Sequence, residues 1–153
     1  MRRIVFGAFA LLWSTLALAA EKGVPVYLGA TADDPVGSRL AYRIKEQIRK
    51  SGQMEFVPSA SDAFVGLNLT TLDPDDAARR TVYSLVVTIR DFSAKDAELF
   101  YYWSSYVGTC GTNKVDECAE SIAADVDQVV DSWKSALSKL SESRPDTDQK
   151  SAN

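Results

Sequence analysis

Three consecutive stretches of the chain alternate in character with a period of two, and the segments on either side repeat apolar residues every three or four positions. In the first stretch Val65, Leu67 and Leu69 alternate with Phe64, Gly66 and Asn68. In the second, Tyr83, Leu85, Val87 and Ile89 alternate with Ser84, Val86, Thr88 and Arg90. The third, Leu99–Val107, sets Leu99, Tyr101, Trp103, Ser105 and Val107 against Phe100, Tyr102, Ser104 and Tyr106. A period of two sends successive side chains to opposite faces, so these read as strands of one sheet with an apolar face that must be covered. The cover is supplied by two amphipathic helices. Val36, Leu40, Ala41, Ile44 and Ile48 form one stripe, and Val115, Cys118, Ile122, Val126, Val129, Trp133, Leu137 and Leu140 form the other.

Local signals mark the remaining boundaries. Asp34-Pro35 opens the first helix, with Asp34 as the amide cap and Pro35 in the first turn, where its missing N–H is harmless. Ser51-Gly52 closes it, with Gly52 expected to take a left-handed cap. Val24–Ala30 is a β-prone run before this helix and Glu55–Val57 a brief one after it. Gly108–Asn113 reads as a turn holding Cys110, and the second helix starts near Lys114. The order is β-α-β-β-β-β-α. Strands two to five are close enough in sequence for antiparallel hairpins, and the first strand, helix and second strand form a right-handed parallel crossover. The expected fold is α+β in two layers: a mixed, mostly antiparallel sheet with both helices on one face.

The N-terminus reads as an export signal. Arg2-Arg3 is followed by Ile4–Ala20 without a charge, and Ala17-Leu18-Ala19 has the small-x-small pattern of a cleavage site. Residues 1–19 are therefore expected to be removed, 20–140 to form one domain, and 141–153, which lack any apolar residue larger than Ala, to form a disordered tail. The expected location is the periplasm or outside the cell, with no membrane insertion after cleavage. In an oxidising compartment Cys110 and Cys118 read as a disulfide, since their spacing fits neither a redox nor a zinc motif.

Composition removes whole classes of chemistry. There is no histidine, which excludes Ser-His-Asp and Cys-His catalysis and every His-ligated metal site. The net charge of −4 lacks the basic footprint of a nucleic-acid binder. The loop with Asp73, Asp75 and Asp76 lacks the ligand spacing of a calcium loop and reads as a solvated turn. Asp33-Asp34 is explained by helix capping, and Gly29–Ala32 has one glycine and then two aspartates, a poor phosphate cradle. No catalytic residue set, metal site or cofactor is expected. The alternative is a small exported hydrolase working through carboxylates such as Asp33 or Glu98.

Leu40–Gly52, then Met54–Val57, then Ser61-Asp62-Ala63-Phe64-Val65-Gly66, resembles the N-terminal domain of TolB and related bacterial envelope modules of the CsgG and PelC type. The TolB propeller and the lipid-anchor cysteine of many relatives are absent. The resemblance implies a non-enzymatic envelope module that binds a protein or an envelope polymer; it leaves the oligomeric state open. The aromatic strand is the expected working surface. Tyr101 and Trp103 are placed in the core, because Leu99, Trp103 and Val107 complete an apolar face that Ser104 interrupts on the other side. Tyr102 and Tyr106 are then exposed and bind the partner.

Overall fold

The computed structural model describes residues 23–90 and 99–142. The export signal, the carboxylate of Glu98 and residues 143–153 of the expected tail lie outside the described residues. Strands β1 (Val24–Ala32), β2 (Met54–Phe56), β3 (Val65–Leu72), β4 (Arg80–Arg90) and β5 (Phe100–Gly111) alternate with helices α1 (Pro35–Lys50) and α2 (Val115–Glu142), and Ala60–Asp62 and Thr112–Lys114 are short 3₁₀ turns. The five strands form one sheet in the order β2-β1-β3-β4-β5. The two layers are this mixed sheet and the two helices. Val36, Leu40, Ile44 and Ile48 of α1 and Ile122, Val126 and Val130 of α2 share one core with Val26, Leu28, Leu67, Leu69, Leu85 and Val87 of the sheet. Each large aliphatic side chain buried in this way contributes ~1.5–3 kcal/mol.

The strand pairing departs from a run of hairpins. β2 and β3 do not pair; each lies parallel to β1, on opposite sides of it. Both meet β1 at the level of Val26, which faces Phe56 on one side and Val65 on the other. Residues 57–64 therefore step across β1, held by Val57 N–H donating to the Val26 carbonyl at 3.0 Å and Phe64 N–H to the Pro25 carbonyl at 2.9 Å. The reason is apolar burial. β1 buries Val24, Val26 and Leu28, and a strand this apolar is used best with neighbours on both sides. β3–β4 and β4–β5 are antiparallel hairpins, as their alternation suggests.

The helix ends also differ from the simplest reading. No glycine among the described residues has a positive φ. α1 stops because Ser51 turns extended (φ −65°, ψ 136°), while its N–H still bonds the carbonyls of Gln47 and Ile48. Ser51 Oγ then accepts from Met54 N–H at 3.3 Å and donates to Asp127 Oδ1 of α2 at 3.1 Å. A serine side chain thus does the work expected of Gly52. α2 runs through Glu142 rather than stopping at Leu140, and Leu137 on its expected apolar stripe is exposed.

Candidate docking strand

β5 is the outermost strand of the sheet, and its side chains are sorted by a bulge. Cys110 sits inside this strand rather than in the turn expected for it, opposite Thr81, and is fully buried. Counting back by twos from Cys110 gives Gly108, Tyr106 and Ser104, which face Tyr83, Leu85 and Val87. Leu85 and Val87 point to the helices, so Tyr106 does too; it is half-buried and packs on the core. The opposite face of the same stretch carries Ser105, Val107 and Thr109, all exposed. Between Val87 and Thr88 the register then slips: Ser104 pairs with Val87 but Tyr102 with Thr88, leaving Trp103 as the extra residue. A bulge of this kind reverses which parity of residue faces the core. Beyond it, Tyr101 opposes Ile89 and Tyr102 opposes Thr88.

The register and the exposures together correct the expected assignment. Tyr101 (59%), Trp103 (45%) and Val107 (76%) are exposed, not core. Tyr106 is not free for a partner in the way expected, because it covers Leu85 from the helix side. Tyr102 is exposed, at 67%. Its hydroxyl lies 3.2 Å from Ser105 Oγ, which holds the ring along the strand. Val107, missed as a surface residue, was detectable. Cys118 lies on the stripe of α2, so its bridging partner Cys110 must face that helix, and parity then puts Val107 outside.

Two features fix the strand in place. Cys110 and Cys118 are bridged, with Cα atoms 6.2 Å apart, inside the usual range for a disulfide. The bridge ties the end of β5 to the first turns of α2. At Gly108 an added Cβ would come 2.5 Å from the Tyr83 hydroxyl, so only glycine lets that ring lie against the strand. Burial, with the Asp125 carboxylate as a smaller contributor, raises the pKa of the Tyr83 phenol. On the face away from the helices, Phe100 closes a cleft of about 250 Å³ with Tyr27, Ala60, Gly66, Asn68 and Thr88. The strand itself is uncharged: no charged residue occurs between Glu98 and Lys114.

The carboxylates have structural employment. Asp34 is buried and caps α1, accepting from Gly37 N–H at 2.6 Å, Thr71 Oγ1 at 2.6 Å and Thr81 Oγ1 at 2.9 Å. Burial pushes its pKa up, but these hydrogen bonds together outweigh burial and leave it lowered. Asp33 beside it is exposed. Asp73 accepts from the N–H groups of Asp75 and Ala78, which lower its pKa, and Asp75 pairs with Arg80 at 2.7 Å. Asp76 and Ala78 take left-handed φ values of 54° and 50° to close this turn. Among the described residues, no group of three or more His, Cys, Asp or Glu side chains is arranged to hold a metal ion. None of the helices found among those residues is long and apolar enough to cross a membrane.

No protein-family model and no curated protein matches the chain. Among solved structures it is similar to a dodecameric PelC variant from Paraburkholderia phytofirmans, with 16% identity, a TM-score of 0.41, and coverage of 72% of this chain and 88% of that one.

Proposed function

We propose that the chain is an exported, non-enzymatic binding module of the bacterial cell envelope, and that it holds a protein or envelope polymer on strand β5. The observation that carries the reading is the pair of exposed apolar side chains Tyr102 and Val107 on an uncharged outer strand. Aromatic residues of this kind give large contact area at low rotamer entropy and are enriched where partners bind. Export is supported by the charged-apolar-small order of residues 1–20 and by a disulfide, which persists in oxidising compartments. Tyr106 packs on the core, so the contact rests on Tyr102 and Val107. The hydrolase reading has less support, because Asp34, which would have to complete a carboxylate pair with Asp33, is engaged by three hydrogen bonds as the cap of α1.

The test is affinity capture from envelope extract with the mature chain and with a Tyr102→Ala/Val107→Ala variant. Retention of defined species by the parent and their loss from a variant with an unchanged melting curve supports the reading. Equal capture by both chains refutes it.

A further inference from the structure

The two outer strands of the sheet are built differently. β2 has three residues and is followed closely by Pro58, so it offers little backbone to another chain. β5 has twelve residues, with neither proline nor charge among them. Short length, proline, charges and bulges are means by which sheet edges are closed to pairing; of these β5 carries only the single bulge at Trp103, and the stretch from Ser104 to Gly111 beyond it has none. Among the described residues β4 is the one strand paired with it. Its exposed side chains are also divided between faces. Tyr101 lies on the face of Ile89 and the helices, while Tyr102 and Val107 lie on the other. A partner that touches both sets arrives at the edge between them.

We propose that β5 pairs antiparallel with β5 of a second copy of this chain, joining two five-stranded sheets across a twofold axis. Charge favours this occupant. The chain carries a net charge of −4, so most approaches of two copies are repulsive, whereas this strand brings together two uncharged segments. Side-chain size favours it as well. The N-terminal half of β5 is bulky, with Phe100, Tyr101, Tyr102 and Trp103, and the C-terminal half is slim, with Val107, Gly108 and Thr109. Antiparallel self-pairing sets each bulky half against a slim one; parallel pairing would stack aromatic on aromatic. With the axis at Ser105, Ser104 meets Tyr106. If Trp103 keeps its role as the extra residue, Tyr102 falls opposite Val107 on the same face, and Tyr101 opposite Gly108. Aromatic against β-branched is a favourable cross-strand pair. The contact is isologous, so each such pair occurs twice and the assembly closes at two copies. The inference goes beyond the binding function proposed above and stands whether or not an envelope partner is found.

The test is sedimentation velocity on the mature, disulfide-intact chain from low micromolar to several hundred micromolar, with Val107→Lys and Thr109→Lys in parallel and amide exchange measured at both ends of the range. The expected result is a reversible monomer–dimer equilibrium, weakened at least tenfold by either lysine, with slower exchange across residues 101–109 at high concentration. A chain that stays monomeric throughout overturns the proposal, even if β5 accepts a strand from a different protein. So does a dimer that both lysine variants leave intact, or one whose protected amides lie elsewhere. If neither variant folds, the concentration dependence of exchange in the parent chain decides: protection of β5 supports the dimer and its absence refutes it.

Discussion

Replacing Asp34 by Ala removes the acceptor on which the start of α1 and two strands converge. Gly37 N–H, Thr71 Oγ1 and Thr81 Oγ1 all donate to its carboxylate, at 2.6, 2.6 and 2.9 Å. Loss of the cap alone costs about 1 kcal/mol. Thr71 is buried, and orphaning its hydroxyl adds roughly 1–3 kcal/mol. Thr81 adds less, because its hydroxyl also lies 3.3 Å from the Leu72 carbonyl and keeps that acceptor. The expected loss is about 3 kcal/mol at neutral pH. The pH dependence has a definite sign. The folded pKa of Asp34 lies below its ordinary value of 3.8, since the hydrogen bonds outweigh the burial that opposes them. A carboxyl lowered in this way stabilises the fold fully above 3.8 and ceases to do so as pH falls through the folded value. The gap between parent and variant should therefore narrow in strong acid. The assay is urea unfolding followed by circular dichroism, with Asp34→Asn as an intermediate that keeps capping and loses the charge. A loss below about 1 kcal/mol at neutral pH, or a gap that does not narrow on acidification, would refute the reasoning.

Three further perturbations test the packing. Cys110→Ser, followed by chemical unfolding without reductant, should lose about 2–3 kcal/mol through the short loop it opens. Gly37→Ala should destabilise by ~1–3 kcal/mol although Ala is the better helix former, because its Cβ would run into the Thr71 hydroxyl; a rise in melting temperature would contradict this. Ser104→Ala should leave stability unchanged or raise it by up to ~1 kcal/mol, because Ser104 Oγ is buried without a hydrogen-bond partner in the described structure; a loss above that size would reveal a partner.

The elements and their layers were legible because they rest on periodicity. Leu40, Ile44 and Ile48 could form one buried stripe only on a helix, and Leu85, Val87 and Ile89 one buried row only on a strand. The Asp34 cap was legible for the same local reason, in its Asp-Pro context. Its partners Thr71 and Thr81 were not, because they come from strands whose proximity depends on the tertiary fold. The placement of β3 on the far side of β1 was hidden likewise: strand order is decided by how apolar surface is shared, and no local signal records it. The docking strand failed at a single residue. One bulge at Trp103 splits the predicted core face of Leu99–Val107, leaving Tyr101 on the helix side but turning Ser105 and Val107 outward, and a run in which aromatics occupy both parities gives alternation nothing to discriminate. Only the disulfide parity from Cys110 carried the correct phase.

The central claim is that β5 is the working surface, and site-specific photo-crosslinking in intact cells tests it most directly. A photoreactive amino acid is placed at Val107 and, as a control on the exposed end of α1, at Lys50. The account predicts discrete adducts from position 107, to an envelope partner or to a second copy, and none from position 50. Adducts from position 50 with none from 107 would contradict it.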